Sequence, residues 1–173
     1  MVQNITTTAV DRVTAGPGAD GSLYAYGLTG RVAPPERPTS LANCTGTSSI
    51  VTVPIVPTGE VPAGPTTLTT TAAISDLAAA PDQAMLFATL PCTGKVVNVG
   101  VATSPVTLTD VAPLERAAVL AVAGDRIFAA GTKTSTTQCT ASCSAATTIV
   151  CPHASGGNRL QWVNEGASVL VQS

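Results

Sequence analysis

The sequence predicts an all-β fold of short antiparallel strands in a single domain over residues 1–173, on three observations. First, the chain is 45% hydrophobic yet only 10% charged, against about 25% charged in an ordinary domain, and Thr, Ser, Gly and Pro fill the difference. Thr and Val, branched at Cβ and stiff at χ1, suit a pleated, half-buried strand. Second, turn signals built on Gly, Pro and Asp recur along the whole chain. Third, the apolar runs between those turns are short, as in a sandwich, barrel or propeller.

Taken in order, alternating or apolar runs mark expected strands at residues 22–26, 49–53, 85–90, 96–101, 126–130, 147–150, 159–163 and 168–171. Three turns share the form Thr-Gly-X-Val: Thr29-Gly30-Arg31-Val32, Thr58-Gly59-Glu60-Val61 and Thr93-Gly94-Lys95-Val96. Each reads as a hairpin turn entering a strand, with Gly supplying a positive φ. The density of Pro and Gly between Pro54 and Pro65 predicts a loop. Residues 110–124 carry helix punctuation, with Asp110 near the start, Pro113 in the first turn and Gly124 at the end; strand is only slightly preferred to helix there. The Ala-rich stretch 72–80 has the same ambiguity, but Pro81 ends it and it is short for a helix.

An internal repeat links these pieces. The run Ile74-Ser-Asp-Leu-Ala-Ala-Ala-Pro-Asp82-Gln-Ala-Met-Leu-Phe-Ala-Thr-Leu90 and the run Ala118-Val-Leu-Ala-Val-Ala-Gly-Asp125-Arg-Ile-Phe-Ala-Ala-Gly131 share one pattern. Each has an apolar strand, a turn containing Asp, then an apolar strand containing Phe. Residues 20–32, from Asp20 to Val32, match the second part. The Asp residues are unevenly spaced, so the repeat is degenerate or carries insertions. These units, followed by Thr-Gly-Lys-Val-Val, resemble the strand-turn-strand units of bacterial β-propellers of the YVTN or quinoprotein-like kind, over about half of the chain. In such families the Asp turn joins two strands of a blade and Thr-Gly-Lys-Val opens the next, places taken here by Asp82, Asp125, Gly94 and Lys95. The resemblance implies propeller-like antiparallel blades, about three units in an incomplete ring, since a closed ring takes at least four. A fragment, or a subunit completed by other copies, would account for the shortfall. A β-sandwich or barrel is the alternative.

Charge and aromatic content narrow the partners. The net charge is -2 and the eight basic residues stand singly, so no electropositive stripe exists to neutralise a phosphate backbone. Aromatics make up 3% of the chain, too few for a base-stacking platform. No nucleic acid partner is expected. Nor is a membrane span, because Pro, Thr or charge interrupts every apolar run before the roughly eighteen residues a bilayer requires. The first thirteen residues lack the basic start and apolar stretch of a signal peptide.

The five cysteines, Cys44, Cys92, Cys139, Cys143 and Cys151, are read as disulfide candidates in oxidising surroundings. The odd count leaves one thiol over, and the connectivity stays open. Cys139, Cys143, Cys151 and His153 also present four potential zinc ligands. Their spacing fits no common finger or ribbon, so a disulfide-tied loop is preferred to a metal site and no metal or other cofactor is expected. His153 is the one histidine; no Gly-x-Ser-x-Gly elbow accompanies it, and Ser155-Gly156-Gly157 reads as a flexible loop. Asp76, Asp82 and Glu115 are isolated acids expected in turns. Trp162 is assigned to the core, and Tyr24 and Tyr26, on one strand face, to packing. Asn4 and Asn43 begin Asn-x-Thr tripeptides, which arise by chance in Thr-rich chains.

The functional expectation is a non-enzymatic structural or interaction module of an extracellular, periplasmic or cell-surface protein, with protein or self as its partner. Low surface charge tolerates close contact between copies. A viral capsid, decoration or filament subunit is the runner-up, placing the chain in a virion. A metal-dependent hydrolase using His153 and the nearby cysteines is the competitor from another class.

Overall fold

In a computed structural model, the described residues are 9–33, 44–56, 60, 63–114, 118–124, 126–132 and 146–152, with side chains described up to Ala129. Each strand pairs with its neighbour in sequence, so the chain forms successive antiparallel meanders with no helix among the described residues. The first sheet contains Arg12–Pro17 (β1), Leu23–Thr29 (β2), Ser49–Pro54 (β3) and Thr66–Thr69 (β4), in that order. The central sheet contains Asp76–Ala79 (β5), Leu86–Leu90 (β6), Lys95–Gly100 (β7) and Thr107–Pro113 (β8). The third contains Val119–Ala123 (β9), Arg126–Thr132 (β10) and Ala146–Pro152 (β11). The all-β expectation holds, and among the described residues the sheets do not close into a barrel.

The sheets stack face to face, with β1 against β5 and β5 against β9. Strand alternation decides which side chains meet. Tyr26, Leu28, Ile50 and Leu68 of the first sheet pack on Leu77, Ala79, Leu86 and Ala88 of the central one. The opposite face of the central sheet, with Ala78, Phe87 and Val96, packs on Leu120, Ile127 and Ala129 of the third. All of β5 and all of β6 are therefore buried. A strand covered on both faces loses its polar alternation, which is why the Ala-rich stretch 72–80 is ambiguous in sequence.

Close approach of β1 to β5 depends on a missing side chain. A Cβ on Gly16 would lie 2.8 Å from both the Ala79 Cβ and the Ala80 carbonyl oxygen. The Thr14 Oγ1, one pleat away, accepts a hydrogen bond from the Ala79 N–H at 3.0 Å. The second sheet contact is tied by Asp76, whose Oδ2 accepts the Leu120 N–H at 2.7 Å.

Expected strands at 22–26, 49–53, 85–90, 96–101, 126–130 and 147–150 coincide with β2, β3, β6, β7, β10 and β11. Those at 159–163 and 168–171, and Trp162, lie outside the described residues. Residues 110–124 resolve into the end of β8 and all of β9. The Thr-Gly-X-Val turns divide. Gly94, at φ 65°, makes the turn from β6 into β7 as expected. Gly30 also has a positive φ, 66°, but residues 31–33 after it are not strand: the Val32 N–H instead donates to the Ile74 carbonyl. That expectation is corrected, because the segment leaves the first sheet to bridge onto the central one. The turn at Gly59 lies outside the described residues.

Candidate functional site

A set of polar side chains joins the sheets. Asp76 is the main one: buried at the start of β5, its Oδ1 accepts the Arg12 Nε–H at 3.0 Å and the Leu77 N–H at 2.9 Å. With Leu120 on Oδ2, one carboxylate links the first strands of all three sheets. A buried charge needs such pairing and hydrogen bonding. The turn expected around Asp76 is thus corrected to a strand position, while Asp82 does lie in the exposed β5–β6 turn. Arg31 adds a second tie, its Nε donating to the Ser75 carbonyl at 2.6 Å and its backbone N–H to Asp11 at 2.9 Å. Buried Ser48 completes the seam: its hydroxyl donates to the Gly30 carbonyl and accepts the Ile74 N–H.

Cys44 and Cys92 are disulfide-bonded, 48 positions apart in sequence. The bond joins the β2–β3 connection of the first sheet to the β6–β7 turn of the central sheet. Cys151 sits on β11 opposite Ile127 of β10, while Cys139, Cys143 and His153 lie outside the described residues. Among the described residues, no group of three or more His, Cys, Asp or Glu could hold a metal ion, and no helix is long and apolar enough to cross a membrane.

The β1–β2 turn is locally self-sufficient. Asp20 accepts the Ser22 N–H and the Tyr24 hydroxyl, each at 3.0 Å. These two donors, the backbone one first, hold the Asp20 carboxyl below its usual range. The same bond, seen from its donor, pushes the Tyr24 phenol up, and burial pushes Tyr26 up. Tyr24 and Tyr26 pack with ring centroids 6.2 Å apart, Tyr26 within the core between the first and central sheets. Their expected packing role is met.

What remains is apolar surface at the two ends of the stack. Thr14 and Gly16 face the central sheet, so Val13 and Ala15 point the other way, as do Leu23, Ala25, Val51, Val53 and Ile55 by their register in β1–β3. The middle of that face is covered: Val51 and Val53 are buried, and Val10 lies over Gly27. Its rim is open, with Val13 59%, Leu23 46% and Ile55 43% exposed. At the other end, Leu120, Ile127 and Ala129 turn inward, leaving Val119, Ala121, Ala123 and Phe128 on the outer face of the third sheet, Val119 being 52% exposed. Three large exposed hydrophobics gather at the first-sheet end, and Val119 stands beside the partly buried Phe128 at the other; apolar surface grouped in this way marks contact surfaces. The sequence reading did not single them out. Leu23 and Val119 lie in ordinary apolar runs, and only pairing shows which face is left over.

Comparison with protein-family models, with curated proteins and with solved structures gave no match.

Proposed function

We propose that this chain is a non-enzymatic interaction module of an exported or surface protein, built from propeller-like blades and acting through its two outer sheet faces. The observation that carries this reading is the exposed apolar rim of Val13, Leu23 and Ile55 at one end of the stack and Val119 at the other, while the interior faces are fully packed. The blade-like reading draws support from the first strands, β1, β5 and β9, which lie one against the next, and from the recurrence of an Asp-bearing stretch, at Asp20, Asp82 and Asp125, between the first two strands of each sheet. Propeller blades are four-stranded meanders repeated about a common axis, and two of the three sheets have that strand count and order. Export is supported by the Cys44–Cys92 bond, since such bonds persist in oxidising compartments.

The test is site-specific photo-crosslinking in the cells that make the protein. A crosslinking residue at Val13 or Val119 is expected to give discrete adducts, and one at Thr103, exposed in the β7–β8 connection, is expected to give none. Absence of adducts from both outer faces would overturn the reading.

A further inference from the structure

We propose that the outer face of the third sheet docks on the outer face of the first sheet of a second copy, continuing between molecules the stacking seen within one. The inference rests on the outer faces being contact surfaces, and it names their partner. It starts from a cross-strand pair that recurs in every sheet. Between the first two strands, a small residue stands opposite an aromatic one: Gly16 opposite Tyr24, Ala78 opposite Phe87, and Ala121 opposite Phe128.

In the first two sheets that pair faces the following sheet. A side chain at Gly16 would strike Ala79 of the central sheet, Tyr24 packs onto the core shared with that sheet, and Phe87 is buried against the third sheet with only 2% exposure. In the third sheet the pair points outward, with Phe128 partly buried and Val119 beside it exposed. Each sheet thus has a leading face, carrying the small–aromatic pair, and a trailing face that receives it. Leading faces of sheets one and two are occupied, as are trailing faces of sheets two and three. One leading face and the rim of one trailing face, at Val13, Leu23 and Ile55, remain, and they sit at opposite ends of the same chain.

A second copy supplies the missing counterpart to each. The contact repeats an interface the molecule already makes twice, small residues under aromatic ones with aliphatic side chains around them. Charge does not oppose it: apart from Arg126 at the hairpin end, the described strand residues on the two outer faces are uncharged. The two faces differ, so the contact is head-to-tail and closes into a ring or runs on as a filament according to its rotation.

Light scattering on the full chain, over a range of concentrations with and without reductant, tests this with two variants at exposed positions. One combines Val13→Glu with Leu23→Glu and the other carries Val119→Lys. The wild type is expected to exceed the 17.2 kDa of one chain, and each variant alone to run as a monomer. An equimolar mixture of the two is expected to form a dimer, because it restores one intact leading face and one intact trailing face. If charged variants lose the all-β circular dichroism spectrum, Val13→Thr and Val119→Thr carry the same test. A wild type that stays monomeric into the millimolar range overturns the inference, as does an oligomer that vanishes on reduction and ignores both variants. Monomeric wild type together with crosslinks from Val13 and Val119 to other proteins would leave the interaction module standing and remove only its self-pairing.

Discussion

Phe87 in the central sheet and Phe128 in the third occupy the same place in the repeat, each opposite an Ala of the preceding strand, yet one is sealed and the other is partly open. The same contrast separates Leu77, with no exposure, from Val13, at 59%. The difference arises from position in the stack and not from residue type. A central sheet is covered twice, and an end sheet once. In this chain, burial of an apolar side chain thus depends on whether a neighbouring sheet covers its face, and a repeated pattern in the sequence need not mean a repeated environment.

The sharpest way to break that comparison is to truncate both phenylalanines. Phe87→Ala removes a fully buried ring and leaves a cavity between two sheets, which typically costs about 3–5 kcal/mol. Phe128→Ala, at low protein concentration, is expected to cost about 1 kcal/mol, since a partly exposed ring has less transfer free energy to lose. Urea unfolding followed by circular dichroism measures both, and equal losses would mean that the two positions share one environment after all. A cost for Phe128→Ala that grows with protein concentration would sharpen the contrast by showing when the open ring becomes covered.

Asp76 is the next largest lever, because it ties the central sheet to both neighbours. Asp76→Ala removes the acceptor for Arg12 and Leu120 together and is expected to lower the unfolding free energy by roughly 2–4 kcal/mol. Arg12→Ala is expected to cost less, because Arg12 is half exposed and Asp76 keeps its two backbone donors. If the arginine change is the more damaging, the carboxylate is not the joint described here. A smaller effect follows from Gly16→Ala. The new Cβ has to displace the Ala79 methyl and the Ala80 carbonyl, at a cost of about 1–3 kcal/mol. Gly64→Ala meets nothing within 4 Å and serves as the neutral control. Near-equal unfolding midpoints for the two variants would mean that β1 and β5 can separate without loss.

The sequence was legible where a strand carries enough apolar side chains to stand out between turns. Strands β2, β3, β6, β7, β10 and β11 coincide with short alternating or apolar runs, and the Gly94 turn follows from its local chemistry alone. Strand β1, Arg-Val-Thr-Ala-Gly-Pro, was not among the expected strands: it ends in a Gly-Pro pair, ordinarily turn chemistry, although Gly16 is there for close approach to β5. Strand β4, Thr-Thr-Leu-Thr, contributes one buried side chain and carries too little apolar signal. Helix punctuation at Pro113 and Gly124 left strand only slightly preferred over 110–124, where the same residues end β8 and turn the chain out of β9. The joints were the least legible. Arg12, Asp76 and Leu120 come from three sheets, and the Cys44–Cys92 pair is one of many that five cysteines allow. No local pattern encodes partners that only stacking brings together.

The smallest expected effect concerns the β1–β2 turn, which makes its contacts within itself and so contrasts with those joints. Asp20 ionises below the usual carboxylate range because the Ser22 N–H and the Tyr24 hydroxyl stabilise its charged form. A depressed folded value means that its contribution to stability is present above the ordinary carboxylate pKa and is lost as the pH falls through the lower folded one. Tyr24 is shifted upward by the same bond, so its contribution is present below the ordinary phenol pKa and is lost as the pH rises through the folded value. Titration by NMR is expected to show the Asp20 midpoint moving up, toward that of a free carboxyl, in Tyr24→Phe. The midpoint should stop short of the free value, because the Ser22 N–H, the larger of the two influences, remains. An Asp20 midpoint that does not respond to Tyr24→Phe would show that the hydroxyl bond does not form in solution and that the backbone alone orders this turn.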